Sequence, residues 1–322
     1  MRLCRFQTEG ETLLGFFDDT RVIPIAAACE AYAEATDDDL LLASGEDPLE
    51  LLPPLGEFAA ETRKLFRWVE GLDVDARAEI SISIDEVQRL VPILMPNKIV
   101  LLAGNYAKHV QERGGIAAER AETFPYLFLK PPSTTLTNPG DPIVIPAASP
   151  DHVDWECELG VVIGRECRNV AEADALSYVA AYTIVNDITD RKFTPNPDRK
   201  TRERDKFFDW LHGKWHDTFC PMGPCILSAD AVADPQALRL TLTVNGEVKQ
   251  DGSTAQMIFP VAAVIAFLSQ FVTLEPGDVI STGTPAGVGF AHKPPRWLRV
   301  GDEVVVRVQG IGALSNPVVA EA

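Results

Sequence analysis

A chain of 322 residues with 46% hydrophobic and 24% charged residues has room for a large and a small domain, and it is too apolar to be disordered. The formal net charge of −18 argues against nucleic acid or an anionic membrane as partner, since both would be repelled. No apolar run approaches the roughly 18 residues that a bilayer span needs.

Residues 1 to about 50 open with short apolar clusters (Leu3 and Phe6, Leu13 to Phe17, Val22 to Ile25) punctuated by Gly10 and Asp18-Asp19. They predict a meander of strands and then a helix near Ala26 to Ala35, broken by the acidic run at Asp37 to Asp39. From Leu55 to Val69 apolar residues recur at three and four, which predicts an amphipathic helix whose role is core packing. Ile80, Ile82 and Ile84 alternate as in a strand, and Pro92 and Pro96 mark a passage into a second unit. The division expected is a small N-terminal α/β domain over 1–90 and a larger domain over 91–322. The six cysteines form no C-x-x-C pair, and the N-terminus lacks a signal peptide's basic and apolar blocks, so reduced thiols in a cytoplasmic protein are expected.

The larger unit begins with a buried strand at Lys98 to Leu102. A helix from about Tyr106 would follow, placing His109 and Glu112 three apart on one face. Three turns share one grammar: Asn138-Pro-Gly-Asp141, Glu275-Pro-Gly-Asp278 and Arg299-Val-Gly-Asp302 each precede β-branched residues. Leu238, Leu240, Leu242 and Val244 alternate with polar residues up to Asn245-Gly246, a strong hairpin signal. Met257 to Phe271 predicts the one long helix here, with Pro260 in its first turn. Strands outnumber helices, so the fold class is α+β and β-rich.

The chemistry concentrates in Asp151 to Gly164. Its second half is a continuous apolar run, and alternation puts Glu156 and Glu158 on one face with Cys157 turned away. Adjacent carboxylates at the start of a buried strand repel unless a proton or a cation sits between them. A helix over 172–182 and a second apolar strand ending in Asp187 would bring a third acid to the pair. Three carboxylates suit a hard ion such as Mg2+ or Mn2+ and make a poor zinc site for want of His or Cys. The alternative is a solvated strand end with scattered acids, ordinary in so acidic a chain.

Val153 to Gly164, Asn186 to Arg191, Gly213-Lys214 and Ser281 to Gly289 together resemble the fumarylacetoacetate hydrolase family, in order, over roughly residues 96 to 318. The resemblance implies a mixed β-roll catalytic domain, a divalent metal held by Glu156, Glu158 and Asp187, small anionic substrates built on a 2-oxo acid, and a homodimer. In that family a His-x-x-Glu after an Asn-Tyr turn is associated with water activation, which assigns the role to His109 and Glu112. Glu112 would fix the imidazole tautomer and leave the other ring nitrogen to take a proton from water. The family's site lysine falls on Lys214. Arg191, Lys214 and Lys130 are expected to offset the acids and receive the anion, and Thr284 to bind a substrate carboxylate.

Residues 192–210 are the one clearly basic stretch, either a lid over an anion or a solvated loop. Thr194 stands about where many family members carry glutamine. The expected reaction is hydrolysis of a C–C bond in an acylpyruvate-like 2,4-dioxo acid, with Lys214 helping to protonate the departing carbon. The runner-up is a lyase of the same family acting on 2-oxo diacids as hydratase, isomerase or oxaloacetate-type decarboxylase. A catalytically silent metal-binding protein is the third reading.

Overall fold

The computed structural model describes residues 1–42 and 45–322. The apolar runs become strands of one long sheet, in the order Ile82–Ser83, Arg21–Pro24, Glu11–Phe17, Arg2–Thr8, Cys220–Ser228, Val179–Asn186, Cys157–Ile163, Val279–Ser281, Ile99–Ala103 and Tyr126–Lys130. The N-terminal strands therefore extend the sheet of the larger unit, with Leu3 opposite Ile226. A second sheet of five strands is built around Arg239–Val244 and Glu303–Val308. No helix among the described residues is long and apolar enough to cross a membrane.

Every residue of Cys157–Ile163, Val179–Asn186 and Cys220–Ser228 is buried, which is why these segments read as unbroken apolar runs rather than alternating ones. Cys157, Leu159 and Val161 pack with Leu240, Leu242 and Val306 of the second sheet. Val162, Val185 and Ala181 face the opposite core with Phe16, Leu65 and Ile99, under the helices Ile25–Thr36 and Ala59–Gly71. The fold is mixed α+β and rich in sheet.

Three predicted elements come out differently. The helix expected over 172–182 is a single 3-10 segment, Glu172–Tyr178, and the strand begins at Val179. Ala180 and Ala181 favour helix by propensity, yet pairing on both sides with Cys157–Ile163 and Cys220–Ser228 overrides it. The carboxylate strands are direct antiparallel neighbours. Of Ile80, Ile82 and Ile84 only Ile82 pairs; Ser83 caps a short 3-10 turn that takes Ile84. The helix expected over 257–271 shortens to Val261–Ser269, with Pro260 as its N-cap rather than inside its first turn. The three shared turns place Gly140, Gly277 and Gly301 at φ of 90°, 87° and 93°, which a Cβ would oppose.

Candidate active site and metal centre

Register builds the acidic cluster. Cys157 lies opposite Asn186, so Asp187, one residue past the paired stretch, comes beside Glu156, and its amide donates to the Glu156 carbonyl at 3.0 Å. Asn186 Oδ1 accepts from the Glu156 amide at 3.1 Å and fixes the strand ends. One carboxylate oxygen from each of Glu156, Glu158 and Asp187 then lies within 4.8 Å of the others, and all three residues are buried.

Each acid has its own compensation. Arg191 donates to Glu156 Oε1 at 2.6 Å and to Asp154 Oδ2 at 2.8 Å, and Lys214 donates to Glu156 Oε2 at 2.9 Å. Burial alone would raise the Glu156 carboxyl, but the charges of Arg191 and Lys214 outweigh it and hold the group well below the usual range. Glu158 has no such cation in contact. Burial, then the charges of Asp187 and Glu156, push its carboxyl well up, even though Ser281 Oγ and the Gly283 amide donate to its Oε2. Asp187 is raised by burial despite Lys130 and Lys214.

Lys214 also donates to Asp187 Oδ2 and, at 2.8 Å, to Thr189 Oγ1, while its ammonium lies 4.9 Å from the Phe128 ring. It is held there by Gly213, where a Cβ would come within 2.2 Å of the Asp190 carbonyl oxygen. Burial lowers the lysine and the two carboxylates raise it further, so it stays charged.

The cluster fits a hard divalent ion. Its donors are all oxygen, three carboxylates are crowded together in a buried site, and Asp187 Oδ1 is a buried oxygen with no hydrogen-bond donor. That oxygen lies 2.9 Å from Lys130 Nζ, but the ammonium's three protons go to the carbonyls of Ile188, Lys214 and Phe219 at 2.9, 2.7 and 2.6 Å. Lys130 is thus saturated behind Asp187. Thr284 is saturated too: its hydroxyl donates to the Cys157 carbonyl at 3.1 Å and accepts from Gln250 Nε2 at 2.8 Å. Neither side chain lines the small cavity beside Glu156.

His109 does line it. The helix Ala107–Glu112 presents His109 Nδ1 to Glu112 Oε1 at 2.8 Å, and the Gly287 amide anchors Glu112 Oε2 at 2.8 Å. That leaves Nε2 for the cavity, whose volume of about 20 Å³ is room for a single water. Its wall is shared by His109, Arg113, Glu156, Arg191, Trp210 and Lys214.

Sequence reasoning placed Asp154 on the acid edge without its partner and passed over three contributors, Ser281, Arg113 and Trp210. Asp154 is fully buried and takes Arg191 together with the amides of Trp155, Gly289 and Phe290. Ser281 steadies Glu158, Arg113 stands at the cavity rim, and Trp210 closes it. Trp210 belongs to the helix Asp205–His212 and meets Phe128 edge-on at 5.1 Å. In the basic stretch Arg199 is paired with Asp205 and Asp209, and Arg202 with Asp205, so part of its charge is spent folding the segment.

The family profile described as fumarylacetoacetate (FAA) hydrolase C-terminal matches residues 98–319. The mitochondrial oxaloacetate tautomerase FAHD2A of Homo sapiens is 42% identical over 234 residues, 73% of this chain and 70% of that protein. A 2,4-didehydro-3-deoxy-L-rhamnonate hydrolase of Sphingomonas sp. is 37% identical over 314 residues, 97% of this chain and 94% of the other. Among solved structures, the fumarylacetoacetate hydrolase of Exiguobacterium antarcticum superposes with a TM-score of 0.74 at 31% identity, covering 100% of both chains. A maleylpyruvate hydrolase from Sphingobium sp. SYK-6, in complex with manganese(II) ion and pyruvate, superposes at 0.71 with 28% identity over 100% of both chains. The chain belongs to the fumarylacetoacetate hydrolase family.

Proposed function

We propose that the protein is a divalent-metal-dependent hydrolase that breaks the C–C bond between the carbonyls of a 2,4-dioxo acid. One observation carries the reading: His109, backed by Glu112, lines a one-water cavity that is also lined by Glu156 of the carboxylate cluster. Mg2+ or Mn2+ held by Glu156, Glu158 and Asp187 would supply Lewis-acid polarisation of the 2-oxo acid end.

The residues divide the remaining work. Glu112 keeps the His109 Nδ1 proton, so Nε2 takes a proton from water as its oxygen adds to C4. The C3–C4 bond then breaks with its electron pair left on C3. C3 takes a proton by way of Lys214, and the proton on His109 restores the lysine. The products are a carboxylic acid and pyruvate or its homologue. Trp210 and the short helix of His109 keep bulk water out of the site.

A second reading is tautomerisation of a 2-oxo diacid, which uses the same cluster without adding water. Relatives named oxaloacetate tautomerase at up to 42% identity favour it. The hydrolase reading is preferred because the relative matched over 97% of this chain carries a hydrolase name. Acylpyruvates and 2-oxo diacids incubated with Mg2+ or Mn2+ and followed by NMR separate the two. Two-fragment products support hydrolysis; loss of the enol signal without fragments assigns tautomerisation.

A homodimer in a reducing compartment such as the cytoplasm is part of the same proposal. It is supported by an edge strand, Tyr126–Lys130, that leaves Leu129 exposed, and by six free cysteines. Light scattering on the parent and on Leu129→Lys tests the dimer.

A further inference from the structure

The cations of the site are not equally available. Lys130, Lys214 and Arg191 are each in contact with buried carboxylates. The side chain of Arg113, the exposed C-cap of the helix that carries His109 and Glu112, has no hydrogen-bond or ion-pair partner among the described residues. It lines the small polar cavity, and it also lines an adjoining recess of about 640 Å³ walled by Phe124, Tyr126, Leu127, Phe207 and Trp210.

Charge and space point the same way. Asp154, Glu156, Glu158, Asp187 and the Glu112 that pairs with His109, set against Lys130, Lys214 and Arg191, leave two negative charges. A divalent ion would cancel them and would itself hold the carboxylate beside the 2-oxo group. A second acid on the substrate then needs a cation of its own. The polar cavity has room for about one water, so the body of a substrate must extend past Arg113 toward the recess. A planar, permanently charged fork at that junction suits a carboxylate.

We infer that Arg113 holds an anionic group at the end of the substrate remote from the carboxylate cluster, so that the acid preferred by this enzyme is a dicarboxylate. The inference rests on the 2-oxo acid reading above and names its substrate class. Arg113 lies one residue past a motif read for its His and Glu, and nothing in the spacing distinguished it from a surface arginine.

The test uses two probes of equal chain length, 2-oxoglutarate and 2-oxopentanoate, titrated calorimetrically into the full-length Mn2+-loaded protein. The parent should bind the diacid more tightly. Arg113→Met should weaken 2-oxoglutarate by about tenfold or more while leaving 2-oxopentanoate within about twofold, and Arg113→Lys should recover part of the loss. With diacids that the parent turns over, the loss should fall on KM rather than kcat. Equal losses for both probes, or no loss for the diacid, overturns the role of Arg113 and leaves the 2-oxo acid reading standing. Failure of the Mn2+-loaded parent to bind either probe overturns both.

Discussion

Glu158→Gln should make the metal-free protein more stable and the metal-bound protein impossible to form. Glu158 has two carboxylate neighbours with oxygens within 4.8 Å and no cation in contact. At an effective dielectric near 20, unit charges about 4.8 Å apart interact by roughly 3.5 kcal/mol, so removing one relieves about 7 kcal/mol gross. Attraction to Lys214 is lost at the same time, which leaves a net gain of about 2–3 kcal/mol. The bonds from Ser281 and the Gly283 amide survive, because a glutamine oxygen accepts them equally well. A gain of that size corresponds to a rise in Tm of roughly 3–5 °C.

The sign with pH follows from the raised carboxyl. Folded, metal-free Glu158 keeps its proton to higher pH than the unfolded chain does, so the parent loses stability as pH rises above the ordinary glutamate range and through the folded value. The variant has no such group, and its advantage should be small in acid and widen toward alkaline pH. Melting in EDTA across that range, then with Mn2+, is the assay. The ion should raise the Tm of the parent and leave the variant unmoved. A variant that melts no higher than the parent at pH 8 in EDTA, or that gains as much from Mn2+, would refute the reasoning.

Removing the ammonium should do the opposite: Lys214→Met leaves Glu156 and Asp187 buried without it and should cost about 3–5 kcal/mol in EDTA. Mn2+ should recover much of that, as melting with and without the ion would show. His109→Asn should lower hydrolysis by about 10²–10⁴ while calorimetric Mn2+ affinity holds, because the imidazole pairs with Glu112 and not with the cluster. Trp210→Ala opens the lid side of the cavity, so kcat/KM for bulky acylpyruvates should rise relative to acetylpyruvate; an unchanged ratio speaks against closure by this helix.

The acids were legible because period-two alternation and the place of Asp187 after an apolar run are local signals. The pairing that joins them was not. Helix-like apolar spacing suggested a helix through Ala180 and Ala181, whereas ladders on both edges made the segment a strand. His109 with Glu112 was readable through a motif, since a lone histidine three residues from an acid carries little information. The spent cations were beyond the sequence: Lys130 and Thr284 look like ligand contacts until their partners in distant segments are seen. Arg113 is the converse, unremarkable in sequence and given its surroundings only by the fold, and Asp154 reads as an edge acid whose pairing with Arg191 only the fold reveals.

The register of Leu3 opposite Ile226 bears on how the protein is made. The first strand leaves the ribosome more than two hundred residues before its partner, so the long sheet cannot close during most of synthesis. Until then Arg2–Thr8 and Glu11–Phe17 form an edge hairpin on which a foreign strand could pair. Contacts this remote in sequence make folding slow, because the loop between them must be closed before the pairing returns any free energy. Clipping the chain near residue 90 would not release a ready-made catalytic body. It would expose the flank of Cys220–Ser228, a strand whose other neighbour, Val179–Asn186, leads directly to Asp187.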